Sequence, residues 1–389
     1  ENMLNQDLIE KEYPQRAEIA YFNTSAIALP PVSVKKAVKG YIDALSDTFC
    51  HNAATFHNEI LEGGRKELAK LLDCSPDEIA FTSNTCDGIT QFAQAFPFKA
   101  GDSVVVSAQE YPSNLYPWLS LERKGVEIRI VDSEKGGKLL PETLIAACDK
   151  STRVVSVAGT FFCNGYRMDL KHLSDLCHAM GIFLVTDTIQ ELGRIRLIPE
   201  ELGIDFLANG GHKCLLGLKG TGFLYCSRKL LPMLIPVTAC HQSTEKWHRP
   251  PKERHYSELL WKKTAGRFES GNPNYIGICS LTEGVRLINQ LDIREIETHV
   301  LNLENMLLER LETAGLHPSH HEKTTERSGI VFLNLPEGAD EKELDTLLAS
   351  HQIYATVREG YVRISLHFFN TEEHIARVAG VLDQFFKSF

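Results

Sequence analysis

From about residue 80 onward, short runs of β-branched and aromatic residues alternate with stretches of helical periodicity. Val104–Ser107, Glu127–Val131, Arg153–Ala158, Ile182–Asp187, Ile204–Ala208 and Gly222–Cys226 read as strands. Between most of them, Leu115–Lys124, Pro141–Cys148 and Leu170–Met180 carry apolar positions at helical spacing. Repeated βα units fold most economically into an α/β architecture with a largely parallel sheet. Ligands of such sheets gather at the carboxyl ends of the strands.

The rhythm changes after about residue 240. Residues 240–266 are polar and aromatic, with Pro250–Pro251 and tryptophans at 247 and 261, and read as an arm that shapes the entrance or a subunit contact. One long helix is expected over Ser280–Ala314, stopped by Gly315. A strand at Gly329–Asn334, a helix at Asp340–Ser350, a strand at Tyr361–Leu366 and a closing helix from Thr371 suggest a small α+β unit. The division expected is a large unit over 15–265 and a smaller one over 266–389, joined by residues 1–14.

Composition narrows the ligand. The 389 residues exceed one ordinary domain, and 43% hydrophobic with 24% charged residues describe a globular chain with a sizeable core. A net charge of -10 disfavours nucleic acid or an anionic membrane as the main partner, leaving small molecules. Ten scattered cysteines without a C-x-x-C pair read as free thiols of a reducing compartment. With neither a basic leader nor an apolar signal core at the start, a cytoplasmic location is expected. His317, His320 and His321 have no supporting Cys or second cluster; they read as solvated loop residues, and no metal is expected.

The chemistry concentrates at Asp187, which closes an apolar strand, and at Lys213 in the glycine-rich Gly210-Gly-His-Lys-Cys-Leu-Leu-Gly217. Pyridoxal phosphate needs such a pair: a lysine amine for a Schiff base and an acid that keeps the pyridine nitrogen protonated. A usable amine must titrate below its ordinary value of about 10.4, which burial and neighbouring cations achieve. Ile79–Thr82 reads as a strand, and Ser83-Asn-Thr-Cys-Asp87 then opens a helix whose free N–H groups and Thr85 hydroxyl suit an anion such as phosphate.

On these residues the chain resembles the class V aminotransferase family of fold-type I pyridoxal phosphate enzymes, which includes cysteine desulfurases, isopenicillin N epimerase and cystine C–S lyases. The likeness runs from Tyr21-Phe-Asn-Thr-Ser-Ala to Val362-Arg-Ile-Ser-Leu-His-Phe-Phe-Asn-Thr371. It implies that Lys213 bears the cofactor, Asp187 meets its ring nitrogen and Gln190 its phenolic oxygen. Asn84, Thr85, Cys86 and His212 would hold phosphate, Tyr111 would stack on the ring, and Arg363 would receive the α-carboxylate of a small amino acid, with Asn114 beside the substrate. Arg267-Phe-Glu-Ser-Gly-Asn-Pro-Asn274 matches a segment that reaches the phosphate of a partner subunit, which implies a homodimer with shared sites and a role for Asn272.

Two departures from the resemblance bear on the reaction. Desulfurases carry a nucleophilic cysteine in a loop before the arginine, whereas Arg358-Glu-Gly-Tyr-Val-Arg363 has almost no loop and no cysteine. Tyr111 stands where many relatives have histidine, and a phenol is a poorer proton shuttle near neutral pH. Lys213 is then the better general acid and base. The expectation is β-elimination from a sulfur-containing amino acid, with transamination next and epimerisation after it; a catalytically idle cofactor-binding scaffold is the alternative of another kind.

Overall fold

The computed structural model describes residues 4–47, 53–134, 137–245, 259–319 and 321–389. The strands are β1 (Ala20–Tyr21), β2 (Ile79–Thr82), β3 (Ser103–Ser107), β4 (Glu127–Val131), β5 (Thr152–Ala158), β6 (Phe183–Asp187), β7 (Phe206–Gly210), β8 (Gly222–Cys226), β9 (Ile330–Asn334), β10 (Ile353–Tyr354), β11 (Thr356–Arg358) and β12 (Tyr361–Ser365). Seven of them form one sheet in the order β2-β8-β7-β6-β5-β3-β4. Only β8 runs against its neighbours. The other six are therefore parallel and end on the same edge, and five of these parallel strands, β2, β3, β5, β6 and β7, lead to one cleft.

Both faces of this sheet are covered, which is why its strands read as near-continuous apolar runs. Val104 and Val106 of β3 face one core with Ile89, Phe92 and Trp118, while Val105 faces the other with Leu184, Leu207 and Phe223. Gly88, in the helix Thr85–Ala95, lets that helix lie close to β7: an added Cβ would stand 2.7 Å from the Ala208 Cβ. The positive end of the helix is thereby brought to the strand-end edge.

A second sheet, β11-β12-β9, is antiparallel and carries the helices Glu341–Ser350 and Glu372–Phe386 beside it in sequence. Residues 20–23, read from the sequence as part of the large unit, are joined to this C-terminal part. Strand β1 pairs in parallel with β10, and the Ser365 N–H donates to the Phe22 carbonyl at 2.8 Å.

Three local expectations change. The expected long helix is two, Tyr275–Leu291 and Ile293–Thr313. Asp292 separates them with φ 65°, and its carboxylate accepts from the Arg294 N–H, so an N-cap interrupts an unbroken apolar periodicity. Leu115–Lys124 forms only short pieces, Tyr116–Leu119 and Glu122–Lys124. His321, expected to be solvated, is buried against Tyr166, with Nε2 3.2 Å from the Asn164 carbonyl. His320 and most of the aromatic arm, Trp247 included, lie outside the described residues. Among the described residues no helix is long and apolar enough to cross a membrane.

Candidate active site

The ends of the five parallel strands converge on a cleft of about 360 Å³. β2 delivers Asn84, Thr85 and Cys86; β3 delivers Tyr111; β5 delivers Thr160 and Phe162; β6 delivers Asp187 and Gln190; and β7 delivers His212 and Lys213. Arg363 reaches the same cleft from β12 of the small sheet. The segment 25–26 closes one side, held by a bond from Gln190 Nε2 to the Ser25 carbonyl and by the Ala28 N–H to the His212 carbonyl.

Electrostatics follow from burial. Asp187 is 4% exposed. Desolvation raises its carboxyl to about 6, against the pull of the Ile189 N–H and of Lys213. Desolvation also lowers the Lys213 amine to about 8; Asp187 opposes that fall, while the guanidiniums of Arg363 and Arg194 add to it. His212 is lowered to about 4 by burial and by the charges of Lys213 and Lys219, so its imidazole is neutral. Lys213, Lys219, Arg358 and Arg363 line the cleft against one lining carboxylate, Asp187. A chain of net charge -10 thus presents a locally basic pocket, suited to an anionic ligand.

Four polar atoms of residues lining this cleft are buried without a partner among the described residues: Ser25 Oγ, Thr85 Oγ1, Gln190 Oε1 and Arg363 Nε. Buried polar groups are ordinarily satisfied, so four orphans around one cavity indicate capacity reserved for a ligand. Arg363 is otherwise held by the Phe162 carbonyl (3.4 Å) and Thr356 Oγ1 (3.2 Å). Tyr111 is 50% exposed, with its ring perpendicular to Phe162 and its centroid 5.8 Å from Lys213 Nζ.

Not every residue read from the sequence arrives here. Asn114, expected beside the substrate, is fully buried and does not line the cleft. Its Nδ2 donates to Glu110 Oε2 at 2.8 Å, and its Oδ1 accepts from Ser156 Oγ (2.8 Å) and Trp118 Nε1 (3.3 Å), so its amide is engaged within the protein. Asn272 is exposed and lines a surface hollow with Ser83 and Asp87 that shares no residue with the cleft. Asn84 lines the cleft, but its Oδ1 is engaged in capping the Asp87 N–H. Ser25, Thr160, Phe162, Lys219 and Arg358 also line the cleft without having been singled out. Position just beyond a strand end could have revealed Thr160; nothing local marks Lys219 or Ser25.

These residues fit pyridoxal phosphate. The buried Asp187 carboxylate, raised by desolvation, suits a protonated ring nitrogen. Orphaned Gln190 Oε1 lies on the same β6 turn, Tyr111 offers a ring face, and the orphaned Thr85 hydroxyl opens a helix at its positive end. A mostly parallel sheet with a lysine and an aspartate at its ligand edge defines a fold-type I pyridoxal phosphate enzyme. The aminotransferase class-V family model matches residues 20–378, and the chain belongs to that family. A probable cysteine desulfurase of Methanothermobacter thermautotrophicus is 26% identical over 97% of each chain. A cysteine desulfurase of Salmonella newport is 27% identical over 93% of this chain and 92% of its own. The solved cysteine desulfurase of Thermococcus onnurineus shares the fold with a TM-score of 0.87 at 23% identity, covering all of both chains. A cystine C–S lyase solved with its product cysteine persulfide does so with 0.86 at 19% identity, over 96% of this chain and 99% of that one.

Proposed function

We propose that the protein cleaves the Cβ–S bond of a small sulfur-containing amino acid, as a lyase. The observation that carries this reading is the tight turn in front of Arg363. Strands β11 and β12 pair directly, Arg358 opposite Tyr361, with only Glu359 and Gly360 between them, both at positive φ (54° and 76°). Two residues leave no room for the cysteine-bearing loop that the desulfurase resemblance places there. Among the described residues, the one thiol lining the cleft is Cys86, at the anion-binding turn.

Pyridoxal phosphate, when bound, supplies an electron sink for the charge that develops at Cα. Arg363 receives the substrate α-carboxylate with its planar fork, which fixes the orientation of Cα. Lys213 Nζ, once free, is the group placed to take the Cα proton; an amine lowered to about 8 exchanges protons near neutral pH far more readily than an ordinary lysine. Asp187 holds the proton at the ring nitrogen. The Cβ–S bond then breaks with its electron pair leaving on sulfur, which is protonated, and the remaining carbon fragment is hydrolysed to pyruvate and ammonia. His212, being neutral, is a hydrogen-bond partner for phosphate rather than a charge partner. We further propose a homodimer in which Asn272, exposed on its own chain, meets the neighbouring subunit.

The test is incubation of the purified protein with cystine, cysteine and alanine. Pyruvate with ammonia in equal amounts, from the sulfur substrates only, is the expected result. Accumulation of pyridoxamine phosphate would assign transamination instead, and recovery of the inverted amino acid would assign epimerisation. A colourless protein that stays unlabelled by borohydride after added cofactor would overturn the enzyme reading.

A further inference from the structure

One layer beneath the cleft lining, Arg194 is completely buried and makes no ion pair among the described residues. An unpaired buried cation is unfavourable unless its donors are well used. Nη2 donates to the Gln190 carbonyl, and Nη1 donates to the Leu366 carbonyl at 3.0 Å; Nε has no partner among the described residues. The first contact is on the turn that presents Asp187 and Gln190, and the second lies three residues beyond Arg363. One side chain thus spans the β6 end of the large sheet and the β12 end of the small one.

The Lys213 turn is tied into the same layer. Cys214 Sγ lies 3.6 Å from the Gln190 carbonyl, the acceptor that Arg194 also uses. His367 Nε2 is 3.0 Å from the Cys214 carbonyl, and its Nδ1 accepts from the Phe368 N–H at 2.9 Å, which makes the ring neutral with its proton on Nε2. Three turns bearing Gln190, Lys213 and Arg363 are therefore joined through Arg194 and His367.

We propose that Arg194 is a positioning residue that clasps the Gln190 turn to the end of the Arg363 strand and keeps a fixed positive charge beside Lys213. The groups facing Lys213 are Asp187, Arg363, Arg194 and the Cys214 thiol, with His212 and the Tyr111 ring beside it. Arg194 acts in the same direction as burial on the amine, and it also lowers the buried His367 imidazole. Its charge lies within reach of the buried carboxyls Glu191 and Glu304, both of which it draws down. The proposal rests on Lys213 being the functional amine but not on which bond the enzyme breaks.

The test uses the full chain stripped of cofactor with hydroxylamine, so that no reaction is involved. Acylation of Lys213 by a small amine reagent is followed by mass spectrometry against pH in the wild type, Arg194→Gln and Arg194→Lys. The wild-type midpoint is expected near pH 8. Arg194→Gln removes the charge and is expected to lower the rate at pH 8 about threefold, while Arg194→Lys keeps the midpoint. Both variants lose the two-way clasp, so hydrogen exchange of amides 188–193 and 366–368 is expected to rise at least tenfold in each. Unchanged midpoints and unchanged exchange would overturn the proposal. If Arg194→Gln does not fold, Arg194→Lys decides alone: unchanged protection of both segments overturns the clasp. A failed lyase assay with the expected labelling would instead count against the proposed reaction only.

Discussion

Two strand ends on the same edge of the sheet carry buried acids of similar chemistry with opposite fates. At the end of β6, Asp187 uses one oxygen for the Ile189 N–H at 2.9 Å and faces the open cleft. Just beyond β3, Glu110 spends both oxygens inside the protein, accepting from the Ala158 N–H and from Asn114 Nδ2, each at 2.8 Å. Both carboxyls are raised chiefly by desolvation, to about 6 and about 8 respectively. Burial and a shifted titration therefore do not by themselves identify a functional acid. The difference is whether the surrounding donors are closed within the protein or left open to a ligand. Around Glu110 the network runs on through Asn114 to Trp118 and Ser156; around Asp187 it ends at the cleft, where Gln190 Oε1 and Thr85 Oγ1 have no partner.

Exchanging charge at the open strand end provides the largest contrast. Asp187→Asn keeps an oxygen for the Ile189 N–H and removes the charge, so turnover of the loaded enzyme is expected to fall on the order of a hundredfold. The cofactor-free variant is expected to be more stable by on the order of 2 kcal/mol at pH 8, because a desolvated carboxylate has been removed. Steady-state kinetics and thermal melts measure the two effects; retained activity with lowered stability would break the comparison.

At the closed strand end the expected effects reverse. Asn114→Ala strands the Glu110 carboxyl, the Trp118 indole and the Ser156 hydroxyl in the core, costing about 2–3 kcal/mol in urea denaturation. The KM for the amino acid should stay within about twofold. A tenfold rise in KM without loss of stability would restore Asn114 to the substrate.

Glu110 supplies the smallest and sharpest test. Its folded value of about 8 lies above the unfolded one, so its stabilisation is complete below about pH 4.3 and is lost as pH rises through 8. Between pH 7 and 8, wild-type stability should fall by about 1 kcal/mol more than that of Glu110→Gln. Parallel slopes would show that Glu110 is already ionised, and the two acids would then differ in closure alone.

Much of this site was legible along the chain. Asp187, Gln190, His212, Lys213, Thr85 and Arg363 lie within or just beyond short strands, and all of them line the cleft. Asn114 lies off the cleft because its amide is engaged by Trp118 and Ser156, partners set by folding rather than by the local sequence. The helix break at Asp292 left a local trace, since Asp292 with Glu295 is an N-terminal signal, but apolar periodicity ran through it unbroken.

The sequence by itself determined the alternation of strands and helices, the strand-end placement of Asp187 and Lys213, and the family. Those features depend on residue period and on spacing within a few tens of residues. Only the tertiary structure decided which polar atoms are satisfied and which wait for a ligand. It alone brought β1 to β10, closed Asn114 around Glu110, and set Arg194 between Gln190 and Leu366, 172 residues apart from the latter in sequence. Such pairings leave no local signature, because a hydrogen bond between distant segments depends on how the sheets pack and on which donors that packing removes from water.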